Sequence, residues 1–146
     1  MKGKTCVILA EDEPFLEEKK KRQLEGMLNN LVYGGYQTFV LFGGGCIVEY
    51  SLFVLEELKN DGCVIQRYII KDNSNQNLCR ILMFFNRVDQ VCLAPDVHSE
   101  KFTLDGKKRK MIALADGILL HHEHILYCQE FRSFAANNKK EIFKLF

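Results

Sequence analysis

Three consecutive glycines are the part of this sequence best placed to do chemistry. Tyr36-Gln37-Thr38-Phe39-Val40-Leu41-Phe42 is a short run of strand formers. Gly43-Gly44-Gly45 breaks it, and Leu52, Phe53, Leu55 and Leu58 then recur among Glu56, Glu57 and Lys59. That is strand, tight loop, helix. Glycines at such a junction adopt torsions that a side chain forbids and let another group approach the main chain. The N–H groups opening the helix favour an anion such as a phosphate at its positive end. Many α/β proteins make the same turn and bind nothing there, so the loop is a candidate and not a signature. Cys46 and Glu49 lie just beyond the glycines, and Glu49 is of the type that accepts hydrogen bonds from a ribose in Rossmann sites. Two further clusters carry reactive side chains. In His121-His122-Glu123-His124, imidazole suits zinc, copper or nickel, but neighbours on an extended strand point to opposite faces and no second cluster completes a coordination sphere. No metal is expected. Lys107-Lys108-Arg109-Lys110 could reach a phosphate or serve as a solvated helix start.

The chain around these residues fits one domain, spanning residues 1–146, with a single continuous core. Apolar residues make up 47% and charged residues 27%, the balance of a globular protein. A net charge of +1 gives no footprint for sequence-independent binding of nucleic acid, which is not the expected partner. The apolar run from Cys6 to Ala10 is shorter than a signal-peptide core, and no run approaches a membrane span, so a cytoplasmic protein with no membrane partner is expected. Six cysteines are scattered without C-x-x-C or finger spacing and read as reduced core residues, with Cys46 the one that faces a pocket.

In chain order, Thr5–Ala10 reads as a buried strand, Glu11-Asp12-Glu13-Pro14 as a polar turn, and Phe15 to about Val32 as a helix with Leu24, Met27, Leu28, Leu31 and Val32 on one stripe, ended by Gly34-Gly35. After the central strand and helix come a strand over Cys63–Ile70, a helix whose apolar face is Leu78, Ile81, Leu82 and Phe85, and a strand over Val88–Leu93. Ala94–Gly106 is an irregular polar stretch of lid-like length. A short basic helix over Lys107–Ala115, a strand over Asp116–His121, a helix over Glu130–Asn137 and a strand over Glu141–Phe146 complete the chain. This alternation predicts an α/β, Rossmann-like three-layer fold, with a mostly parallel sheet and helices on both faces. Its ligands would collect at the carboxyl ends of the strands, where the strand order reverses.

Val7-Ile-Leu-Ala-Glu-Asp-Glu-Pro14 resembles the opening of a response-regulator receiver, but the third strand ends Tyr68-Ile69-Ile70 where the phosphoacceptor aspartate belongs. A fuller resemblance lies elsewhere. With Leu41-Phe42-Gly43-Gly44 followed by Glu49, and Lys107-Lys108 followed by Ala115-Asp116-Gly117-Ile118-Leu119-Leu120, the sequence resembles the YpsA-like branch of the SLOG superfamily. That superfamily is the Rossmann-like group that includes the DprA and LOG (lysine-decarboxylase-like) proteins. The resemblance puts Gly43, Gly44, Gly45 and Glu49 at the family's central pattern, and Lys107, Lys108, Ala115 and Asp116 at its later one. Glu13-Pro14-Phe15 falls where the family has a basic-Pro segment, so a carboxylate stands beside the implied phosphate pocket unless Lys107 and Lys108 offset it. Ile47 replaces the glycine before the acidic residue, and the signature of the LOG phosphoribohydrolases is absent.

Three functions follow from this reading. The first is a small module that binds a nucleotide or nucleotide-derived ligand over Gly43–Glu49, with Asp116 and the stretch 94–106 closing the pocket and no resident cofactor. The second is an N-glycosidase acting on a nucleoside monophosphate, in which Glu49 stabilises charge developing on the ribose. The third is a non-catalytic interaction protein with a degenerate pocket. The resemblance also implies a homodimer.

Overall fold

The structure is a computed structural model that describes residues 3–9, 15–42, 45–71, 75–93, 115–121, 133 and 136–145. The apolar runs become six strands: β1 (Lys4–Leu9), β2 (Tyr36–Phe42), β3 (Gln66–Lys71), β4 (Gln90–Leu93), β5 (Gly117–His121) and β6 (Glu141–Leu145). The periodic runs between them become helices α1 (Glu18–Tyr33), α2 (Cys46–Asn60) and α3 (Gln76–Phe84). Ser133, Ala136 and Asn137 are also helical. Each labelled helix stops where a residue turns to positive φ: Gly35 at 103°, Gly62 at 103° and Asn86 at 56°. There the amide of Cys63 closes back on the Leu58 carbonyl at 3.0 Å, and that of Arg87 on Leu82 at 2.8 Å.

All strand pairings are parallel, and the sheet runs β4-β3-β2-β1-β5-β6. The chain therefore steps from β1 outward to β4, then returns to the other side of β1 for β5 and β6. The reversal falls between β1 and β5, which pair with Leu9 opposite Leu120.

Side chains of successive strand residues alternate between faces. On one face Cys6, Ile8, Phe39, Leu41, Ile69 and Leu119 share a single core with the inward residues of the helices. Leu24, Leu28 and Leu31 come from α1, Ile47, Leu52 and Leu55 from α2, and Cys79 and Leu82 from α3. The alternate residues Val7, Leu9, Val40, Ile70, Ile118 and Leu120 are buried as well. A sheet buried on both faces explains why its strands read as unbroken apolar runs. The expected α/β, Rossmann-like three-layer fold is the one found. No helix among the described residues is long and apolar enough to cross a membrane.

One expectation about a helix face is corrected. Ile81 and Phe85 were to pack inward from α3, but they are 52% and 62% exposed, and the helix buries Cys79 and Leu82 instead. Phe53 of α2 is likewise exposed.

Candidate functional site

β2 ends at Phe42, and α2 begins after Gly45, whose backbone lies at φ 86° and ψ −167°. That conformation is essentially restricted to glycine, so this position demands the residue it has. No side chain caps the helix, and its first internal bond runs from the Glu49 amide to the Gly45 carbonyl at 3.1 Å. The amides of Cys46, Ile47 and Val48 therefore precede the helical ladder. Ile47 and Val48 are fully buried, which fixes the direction in which this helix start points, while Cys46 is half-buried. The N-terminus of α2 is thus a positioned, positively polarised group at the carboxyl edge of the sheet.

Glu49, in the first turn of α2, is exposed and lines a groove of about 330 Å³ between α2 and α3, together with Phe53, Ile81, Phe85 and Arg87. Asp116 sits at the other edge of the sheet. Its carboxylate accepts the Thr5 amide at 2.8 Å, its own amide donates to the Thr5 carbonyl at 2.8 Å, and its carbonyl accepts from the Glu141 amide at 3.2 Å. It ties the starts of β1, β5 and β6 together at the amino edge. In an all-parallel sheet a residue preceding β5 and one following β2 lie at opposite edges, separated by roughly 20 Å of strand. Asp116 is a strand-start clamp, and the expectation that it closes a pocket over Gly45 is corrected. Glu13, Gly43, Gly44, Lys107 and Lys108 lie outside the described residues, as do His122, Glu123 and His124. Among the described residues no group of His, Cys, Asp and Glu could hold a metal ion.

The order reversal also moves the crevice expected of such sheets. It opens between the carboxyl ends of β1 and β5, and Gly45 follows β2, the strand on the other side of β1.

Two arrangements escaped the sequence reading. The first is centred on Arg67 of β3, 2% exposed. Its Nη1 donates to Glu56 at 2.7 Å, and its Nε and main-chain N–H donate to one Asp89 oxygen at 3.2 and 2.7 Å. Lys59 Nζ holds the other Asp89 oxygen at 2.9 Å, and Arg87 approaches Glu56 at 3.6 Å. Burial works against the Asp89 carboxylate, but these donors prevail and hold its pKa below the usual range. The second is a cavity of about 780 Å³ between α1 and β6. Lys4, Tyr36 and Glu141 mark one end of it, with the Tyr36 hydroxyl donating to Glu141 at 3.0 Å and Lys4 Nζ 3.8 Å from the same oxygen. Burial and that hydrogen bond raise the Tyr36 pKa well above an ordinary tyrosine. The ring of Phe143 meets that of Tyr36 edge-on at 6.0 Å. A glycine inside a periodic helical run, Gly26, was the available sequence signal for this cavity. For Arg67 the only signal was a charge inside an apolar strand.

No protein-family model matches the chain, and no curated protein matches it either.

Proposed function

We propose that the chain is a SLOG-type binding module of the cytoplasm that holds a nucleotide or nucleotide-derived ligand by its phosphate at the start of α2. One observation carries this reading: α2 opens on Gly45 in a glycine-only conformation, with no side-chain cap, at the carboxyl edge of a parallel sheet. The proposal is of binding without turnover.

The test is a thermal-shift titration with AMP, ADP, ADP-ribose and NAD. A ligand that binds only the folded state stabilises it by about 2.7 kcal/mol at a hundredfold excess over Kd, a shift of several degrees for a domain of this size. The wild-type protein should show that shift with at least one of the four, and Gly45→Ala should lose it. If all four leave the wild-type melting temperature unchanged at saturating concentration, the reading is wrong.

A second reading, an interaction protein, has its own support. Phe53, Ile81, Phe84 and Phe85 are 48%, 52%, 82% and 62% exposed and form one apolar surface on α2 and α3, with the rings of Phe84 and Phe85 in contact at 5.1 Å. The exposed area is on the order of 400 Å², the size of patch that is often functional on a monomer. Its groove is polarised. Glu49 lies at one end, while Arg87 pairs with Glu56, seven residues or about 10 Å farther along α2. A second copy laid across it antiparallel would set Glu49 against Arg87 at both ends, whereas a parallel copy would set like charges together. The occupant this favours is therefore a second copy of the chain, a homodimer.

A further inference from the structure

We infer that β6 is a detachable strand. It opens away from β5 as one unit while the rest of the sheet stays paired, turning at Lys139 and held shut at Glu141. The inference depends on neither the phosphate reading nor the second copy.

How little β6 buries is the first argument. Among the described residues it pairs with β5 alone, at the end of the sheet. Glu141 and Lys144 are exposed, and Ile142 and Phe143 are only half-buried. In the neighbouring strands Cys6–Leu9, Phe39–Leu41 and Ile118–Leu120 are buried throughout. On the α1 side the strand borders the cavity of about 780 Å³ instead of a packed helix. An element with few buried apolar contacts and a solvent-facing ladder lies at the low end of local stability.

The turn before the strand is the second. Residues 136–139 are all exposed, and Lys139 stands at φ 57°, two positions ahead of Glu141. Left-handed torsions are unfavourable for a residue with a Cβ. The docked strand holds Lys139 there, and a strand that swings out lets it relax.

The third is where the strand is fastened. The Tyr36 hydroxyl donates to the Glu141 carboxylate at 3.0 Å, and Lys4 Nζ lies 3.8 Å from the same oxygen. The Glu141 amide donates to the Asp116 carbonyl at 3.2 Å, and the ring of Phe143 meets Tyr36 edge-on. Among the described residues, the hydrogen bonds, ion pairs and ring contacts that β6 makes beyond its pairing with β5 all involve Glu141 or Phe143. Once those are broken, Lys144 and Leu145 are held by the ladder alone, so the strand leaves whole rather than residue by residue. Opening makes β5 the edge strand and offers its freed N–H and C=O groups to an extended segment.

Native-state hydrogen exchange on the intact protein, with urea kept below the unfolding transition, tests this. The β6 amides that bond to β5 should share one opening constant, at least about a hundredfold larger than that of the β1 and β2 amides and less sensitive to urea. Glu141→Ala should raise the β6 constant about tenfold, because it removes a charge-assisted hydrogen bond that only the closed form makes. Its side chain is more than half exposed, so the variant should fold. Lys139→Val should also raise that constant, since a β-branched residue is still less tolerant of positive φ. Ile69→Val, in β3, should speed exchange of β1 and β2 several-fold and leave β6 unchanged, because the open form still contains the packing it weakens. A β6 constant that rises with Ile69→Val in step with β1 and β2 would overturn the inference, since the strand would then open only on global unfolding. So would protection that falls off step by step toward Leu145, the pattern of a fraying end. A β6 constant untouched by Lys139→Val would place the hinge elsewhere and overturn it as well.

Discussion

Arg67 has almost no access to water, and its charge is tolerable only because two carboxylates and a carbonyl face it. Removing one carboxylate leaves that cation partly uncompensated, which typically costs about 3–5 kcal/mol. Asp89→Ala should accordingly lower the unfolding free energy by about 3 kcal/mol in urea titrations, whereas Arg67→Met, which removes the charge itself, should cost less. The same pair sets a pH dependence. The folded pKa of Asp89 is depressed below its unfolded value. Its stabilising effect is therefore complete above the ordinary carboxylate pKa of about 4, and is lost as pH falls through the lower folded value. Asp89→Asn should flatten the acid limb of the stability curve below about pH 4, and a limb as steep as wild type would rule this out. At this scale the sequence was only partly legible. The Gly45 position could be read from its neighbours, because strand, glycines and amphipathic run are all local. The Arg67 cluster could not, because Glu56, Asp89 and Arg67 meet only after three elements have been placed.

At the scale of elements, one contact shows how tightly the strand starts are fitted. The Tyr36 ring reaches across β1 to lie over Gly117, and a Cβ at residue 117 would fall on the Tyr36 hydroxyl and within 2.9 Å of Phe143 Cε2. Gly117→Ala should destabilise by about 1–3 kcal/mol through overpacking. Combined with Tyr36→Phe it should cost less than the sum of the two single changes, because the atom it strikes is gone; strict additivity in a double-mutant cycle would refute the contact. Among the described residues the elements were legible to within a few positions, since six apolar runs and the stripes between them follow directly from periods of 2 and 3.6, while the helices expected over 107–115 and 130–137 lie largely outside those residues. The face of α3 was not. Its nine residues and the turn beyond carry Leu78, Ile81, Leu82, Met83, Phe84 and Phe85, apolar almost all round, so periodicity had no minority polar stripe from which to assign inside and outside.

For the molecule as a whole, the proposed consequence of that outward face is association. The antiparallel arrangement predicts a dimer by sedimentation at micromolar concentration, and Phe84→Ser or Arg87→Glu should shift it to monomer. Adding Glu49→Arg to Arg87→Glu should restore it, because the exchanged charges again oppose across the twofold axis. A wild-type chain that sediments as monomer at high concentration would exclude the arrangement. The strand order was beyond the reach of the sequence, which shows alternation but not which strands neighbour one another.

That order bears on how the polypeptide is made. β1 is translated before the other five strands of its sheet and lies inside the finished sheet, flanked by β2 and β5. Its partner residues 117–120 are translated more than a hundred positions later. Until they emerge, one whole side of β1 offers bare N–H and C=O groups to any extended chain nearby. A nascent chain stalled before residue 117 should therefore recruit chaperones or aggregate, and supplying a peptide of residues 115–121 in trans should relieve it.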